Sequence, residues 1–130
     1  MDEVRLRAIP LFAGLSRKER EQLARWADEV EVPAGTRLVD QGAFPHEFFV
    51  ISEGRAEVTI DGRPIAELGP GDFFGEIALL EGQRRTATVT SSTPLSAVVM
   101  HSRDFGSMER SLPDVAARIR QEMTRRIGRD

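Results

Sequence analysis

Two alternating runs, Arg55-Ala56-Glu57-Val58-Thr59-Ile60 and Arg63-Pro64-Ile65-Ala66-Glu67-Leu68, flank the dipeptide Asp61-Gly62. Asp-Gly accepts positive φ at both central positions of a two-residue turn, and that twist is what a tight antiparallel hairpin needs. The rest of residues 28–100 has the same character. Val30, Val32, Leu38, Phe49 and Ile51 lie in short segments broken by Pro33-Ala34-Gly35 and Gly42, and further strands are predicted at 86–91 and 95–100. Many short strands at this spacing predict an antiparallel β-barrel or jelly roll.

Both ends change period. Residues 1–27 read as helical: Leu11, Phe12 and Leu15 are apolar, and Leu23, Trp26 and Ala27 recur at helical spacing. Ser16-Arg17-Lys18-Glu19 is a capping box, in which the Ser hydroxyl accepts a first-turn N–H and the Glu carboxylate reaches back to the cap. From about residue 101 onward Leu112, Val115, Ile119, Met123 and Ile127 step by three or four and form one apolar stripe, with Ser111 as its predicted cap and Pro113 in its first turn. The expectation is one domain, 1–130: a helical segment at 1–27, a mainly β body at 28–100 and terminal helices at 101–130.

Composition removes several classes of function. The chain has 130 residues, 40% hydrophobic and 30% charged, an ordinary globular balance. It has no cysteine, so disulfides and thiolate chemistry are excluded, which fits a reducing, cytoplasmic setting. Lys18 is the only lysine, which excludes a P-loop lysine or a Schiff base almost everywhere. A net charge of −3 gives no basic field for nucleic acid. The arginines at 118, 120, 125, 126 and 129 are interleaved with acids and read as a solvated helix face. No apolar run approaches the roughly 20 residues of a membrane span, and the acidic start is unlike a signal peptide. Two isolated histidines, His46 and His101, make no metal cluster, and no serine has a His–Asp context for nucleophilic catalysis. The chain is therefore expected to be no enzyme and to carry no cofactor.

The stretch from Gly69 to Val89 interrupts the strand region. Turn residues 69–72 lead to a segment, Glu76 to Leu80, long enough only for a short helix; Gly82 then turns the chain toward a strand beginning near Arg85. A helix N-terminus presents unpaired N–H groups to an anion. Gly75 allows close approach to the backbone, and an arginine returning on the next strand can clamp phosphate oxygens in bidentate fashion. Glu76 would repel a phosphate placed on it and is better used as an acceptor for a neighbouring hydroxyl. A hydroxyl and a phosphate held by one loop is the profile of a ribose phosphate. The glycines at 69, 71 and 75 do not have dinucleotide spacing, and no Gly-Lys-Ser/Thr is present.

Phe74-Gly75-Glu76-Ile77-Ala78-Leu79-Leu80 followed by Arg85-Thr86-Ala87-Thr88-Val89 resembles the phosphate-binding cassette of the cyclic nucleotide-binding domain family, at about 74–89. Ile9-Pro10-Leu11-Phe12 with Leu15-Ser16, and Phe49-Val50-Ile51-Ser52-Glu53-Gly54, resemble the family's N-terminal helical motif and the strand before its hairpin. The resemblance implies a sensor for cAMP or cGMP, with cAMP placed ahead. It implies that Glu76 accepts the ribose 2′-OH and that Arg85 binds the exocyclic phosphate oxygens. Gly75, Ile77, Ala78 and Ala87 would cradle the phosphate through their backbone. Thr86 follows the arginine and does not decide the base. Val58, Ala66 and Leu68 are candidates for the apolar wall against the base, and Ile119 and Met123 for a lid that moves with the terminal helices. Arg84, where many relatives carry proline, reads as a surface residue. No aromatic follows Phe105, so an aromatic lid is absent. The alternative reading is an interaction module that keeps the fold without the ligand. The chain is either a stand-alone sensor or one domain of a larger protein with a fused or separate effector, and a homodimer through the terminal helix stays open.

Overall fold

A computed structural model describes residues 2–42, 47–74 and 87–127; the side chains at 102, 119 and 122–127 lie outside that description. The N-terminal segment forms α1 (Glu3–Arg7), α2 (Pro10–Ala13) and α3 (Arg17–Leu23). The capping box is present in both directions: Glu19 N–H donates to Ser16 Oγ at 3.1 Å, and Ser16 N–H donates to Glu19 Oε1 at 2.9 Å.

The strands are β1 (Asp28–Val32), β2 (Arg37–Val39), β3 (Glu47–Glu53), β4 (Ala56–Ile60), β5 (Arg63–Leu68), β6 (Phe73–Phe74), β7 (Thr88–Ser91) and β8 (Leu95–His101). They make two antiparallel four-stranded sheets, ordered β1-β8-β3-β6 and β2-β7-β4-β5. This is the jelly-roll alternative of the expectation; among the described residues no strand bridges the two sheets into a closed barrel. The β4–β5 hairpin turns at Asp61-Gly62, with φ of 52° and 78°, and that pair of positive φ values is the reason for its sequence.

Sidedness explains the apolar runs in β3 and β8. Phe48 and Val50 of β3, with Val98 and Met100 of β8, face the helices and join Leu6, Phe12, Leu23, Phe105 and Met108 in one buried cluster. The alternate residues Phe49, Ile51, Ala97 and Val99 face the second sheet and meet Val39, Ala56, Phe74 and Val89 in another. The first sheet is thus covered on both faces, so its inner strands read as continuous apolar segments. Gly54 ends β3 at φ 91°, and a Cβ there would lie 2.3 Å from the Pro94 carbonyl oxygen, so only glycine fits.

After β8 the chain forms α4 (Ser102–Ser111) and α5 (Pro113–Ile127). The expected cap at Ser111 is corrected here. Ser111 is the last residue of α4, and Leu112 stands between the helices at φ −135° and ψ 65°. Its carbonyl accepts the Ala116 N–H at 3.0 Å, the first bond of α5. A residue before proline is driven out of the α region, which places the break one residue later than the serine suggested. Val115 and Ala116 of α5 are buried in the helical cluster, with Leu112 packed against it.

Candidate functional site

The cassette is framed by the first sheet on one side and the second on the other. On the upstream side, the turn 69–72 is fastened to β3. Gly71 N–H donates to the Ile51 carbonyl at 2.8 Å, and Ile51 N–H donates to the Asp72 carbonyl at 2.9 Å. The Asp72 carboxylate closes the turn by accepting Gly69 N–H at 2.8 Å. Gly71 has φ 89°, as this geometry requires. Phe74 then stacks on Phe49 with ring centroids 4.8 Å apart and planes 12° off parallel, while Phe73 meets Phe48 at 5.9 Å. Two consecutive aromatic side chains on opposite faces anchor the chain to both clusters just before Gly75.

On the downstream side, Ala87 is half-buried and leads into β7. There Thr88 pairs with Thr59 and Val89 with both Val58 and Val39. Gly75, Glu76, Ile77, Ala78, Arg85 and Thr86 lie outside the described residues, as do Arg84 and His46.

Of the apolar-wall candidates, Val58 and Leu68 are half-buried and pack against the inner cluster that holds Val89. Ala66 pairs directly with Val58, so it shares that face, but it is exposed because β5 is the edge strand. Ala66 also lines a groove of about 400 Å³ with Glu57, Pro64, Ile65, Glu67 and Ser92. Ile119 and Met123 lie on α5, their side chains outside the description. Among the described residues no group of three His, Cys, Asp or Glu side chains could hold a metal ion, and no helix is long and apolar enough to cross a membrane.

Among the described residues two titratable groups are displaced, both at tie-points between elements. Glu19 is held below the ordinary glutamate range by the Ser16 N–H bond first and by Arg118 in addition, against a smaller opposing effect of burial. Arg55, exposed on the second sheet, is raised by its hydrogen bond and charge pairing with Glu67.

Two features escape a reading of the sequence. Arg118 of α5 donates to Glu19 of α3 at 3.0 Å. Gln41 bonds to both Asp61 and Thr88. Each joins residues far apart in the chain, and no local pattern announces either.

Residues 29–111, spanning the described strands and α4, match the family model of the cyclic nucleotide-binding domain. The chain belongs to that family. A cyclic nucleotide-gated potassium channel of Rhizobium etli is 36% identical over 121 residues, which cover 93% of this chain and 34% of the channel. A cAMP-dependent protein kinase regulatory subunit of Aspergillus fumigatus is 31% identical, over 91% of this chain and 29% of that protein. This cyclic nucleotide-binding domain thus spans about a third of the length of the curated relatives it matches. Among solved structures, the N-terminal domain of a transcriptional regulator from Streptomyces coelicolor A3(2) aligns with a TM-score of 0.78 and 26% identity, over 96% of this chain and 91% of that one.

Proposed function

We propose that this cyclic nucleotide-binding domain captures cAMP in preference to cGMP, as a sensor and not as an enzyme, and passes the event to an effector through its terminal helices. The observation that carries the reading is the spacing of Phe74-Gly75-Glu76 and Arg85-Thr86-Ala87 within the matched span 29–111. Arg85 is the proposed phosphate clamp and Glu76 the proposed acceptor for the ribose 2′-OH. Gly75, Ile77, Ala78 and Ala87 offer backbone N–H groups to the phosphate.

Supporting geometry comes from both flanks. The Phe73-Phe74 anchor and the Thr88–Ser91 strand fix the two ends of the loop on different sheets. Val58, Leu68 and Ala66 supply an apolar strip beside the downstream end, in part open to solvent. The name of the Aspergillus relative, a cAMP-dependent regulatory subunit, favours cAMP as the ligand.

For the output, nucleotide must bind one arrangement of the terminal helices more tightly than another. Ile119 and Met123 on α5 are the proposed lid residues. The effector is a fused domain or a separate protein.

The test is calorimetric titration of the wild type and Arg85→Ala with cAMP and with cGMP. A bidentate charged contact contributes near or above the upper end of about 1.5–3 kcal/mol, so Arg85→Ala weakens binding about 100-fold or more. Wild-type affinity in Arg85→Ala overturns the clamp assignment. No heat and no thermal shift with either nucleotide makes the chain an interaction module that retains only the fold.

A further inference from the structure

On β4 and β5, Glu57 and Glu67 alternate with Val58 and Leu68, which pack against the inner cluster. Neighbours on a strand point to opposite faces, so the two carboxylates stand on the outer face of the second sheet. They oppose one another directly across the ladder, a placement that like charges disfavour. Arg55 pairs with Glu67. Among the described residues nothing forms an ion pair with Glu57, and its cross-strand neighbour on the other side is the neutral Thr90. Val58 pairs with Ala66 and Thr59 with Pro64, so Ile65 is the extra residue of a β-bulge, a device that re-aims a side chain. Ile65 is 56% exposed; among the described residues the other exposed large apolar side chain is Val4, on α1. Glu57, Glu67 and Ile65, with Pro64, Ala66 and Ser92, line one groove of about 400 Å³.

We propose that this groove docks a partner protein through a short segment carrying an arginine beside a large apolar side chain. Charge complementarity selects that chemistry. Two carboxylates against the single cation Arg55 leave one negative charge in the groove, next to an apolar side chain that water covers poorly. A guanidinium placed between Glu57 and Glu67 can donate to both carboxylates at once, which its planar fork suits better than an ammonium does. It also turns the opposed like charges from a repulsion into an attraction. The neighbouring apolar side chain of the segment then packs on Ile65 and Pro64. Extension of the sheet by an added strand is disfavoured here. β5 is the edge strand, but its bulge breaks the regular row of backbone groups and Pro64 offers no N–H. Recognition therefore runs through side chains on the face, and a surface of this size makes a weak, transient contact. Glu57, Glu67 and Ile65 lie outside the cassette at 74–89, so the inference stands apart from the roles proposed for Glu76 and Arg85.

The experiment selects random heptapeptides displayed on phage against the full chain, then measures the enriched peptides, synthesised and fluorescently labelled, by anisotropy. The expected result is enrichment of arginine within two residues of a large apolar residue. Glu57→Gln and Ile65→Ser are each expected to weaken such a peptide about tenfold or more, on the order of one charged contact or one buried anchor. Val4→Ser, which removes the other exposed apolar side chain, should stay within about twofold, a difference of a few tenths of a kcal/mol. Replacing the peptide's arginine by lysine should cost about three- to tenfold. Glu57→Gln relieves the opposed charges, so it is expected to melt no lower than wild type while binding less well; a loss of binding then reports the surface and not the fold. No enrichment, enriched peptides without a cation, or equal binding by wild type, Glu57→Gln and Ile65→Ser overturns the proposal. Sedimentation tests the other occupant: a dimer of the chain that Ile65→Ser dissociates makes this face an interface between copies, and overturns the partner assignment.

Discussion

Glu19 and Arg118, 99 residues apart in the chain, meet through a 3.0 Å bond between the guanidinium and Oε2 of the carboxylate. The other carboxylate oxygen, Oε1, accepts Ser16 N–H and caps α3. One side chain therefore ends a local helix and fixes α5 against it, and α5 carries the proposed lid residues.

This double use makes stability depend on pH. Because Glu19 is held below the ordinary glutamate range, the folded chain binds its proton less readily than the unfolded chain. The stabilisation is complete above the unfolded value and is lost as pH falls through the folded one. Glu19→Gln preserves the acceptor for Ser16 but removes the charge. Since Arg118 is half exposed, the variant is expected to lose only about 0.5–1 kcal/mol near neutrality. Urea denaturation of both proteins measures this: the gap closes as pH drops below the carboxylate range. A gap that stays constant with pH assigns the loss to packing instead.

Arg20 gives a larger effect. Its Nε donates to Glu3 Oε1 at 2.7 Å and its guanidinium also donates to the Leu15 carbonyl. Both side chains are nearly buried, at 8% and 13% exposure. Removing one partner strands a charge, so Glu3→Ala is expected to cost about 3 kcal/mol or more. Replacing both by apolar residues of similar volume should recover most of that loss. Denaturation midpoints of the single and paired variants decide between the two outcomes.

What could be read from the sequence was mostly what local geometry determines. Asp61-Gly62 and the Ser16–Glu19 box each specify their structure within four residues, and both appear as expected. The continuous apolar runs of β3 and β8 encode burial on both faces. Ser111 misled because it is a good cap residue by type, whereas Pro113 decides the break through the conformation it denies to Leu112. The pairings Glu19–Arg118 and Gln41–Asp61 depend on which surfaces the fold brings together, so they have no signature in either neighbourhood. For the candidate site the sequence offers a motif: the chemistry of a glycine-flanked carboxylate and a returning arginine suggests a ribose phosphate, and the resemblance supplies the specific roles proposed for Glu76 and Arg85, which lie outside the described residues.

Gly54 is the most tightly enclosed of the described glycines. Alanine there must adopt φ 91° and place its Cβ 2.3 Å from Pro94 O and 2.8 Å from Leu95 Cα. Both neighbours are backbone and cannot rotate away. Strain and overpacking each cost about 1–3 kcal/mol, so Gly54→Ala is expected to lose more than about 2 kcal/mol. The same substitution at Gly14, where nothing lies within 4 Å and φ is −79°, should be tolerated. Thermal melts of the two variants check the contrast.

Glu76 offers a prediction that separates recognition from stability. If its carboxylate accepts the ribose 2′-OH, the bond is charge-assisted and contributes roughly 1.5–3 kcal/mol. Arg85 acts on the phosphate, which a 2′-deoxy analogue retains. Glu76→Ala should therefore weaken cAMP binding about tenfold or somewhat more, less than Arg85→Ala does, and leave 2′-deoxy-cAMP almost unchanged. The ratio of the two dissociation constants, well above one in the wild type, then collapses toward one in Glu76→Ala. The same ratio in Arg85→Ala should stay at its wild-type value while both affinities fall. Equal losses for cAMP and its deoxy analogue in Glu76→Ala would instead make Glu76 a support of the loop, with no direct contact to the sugar.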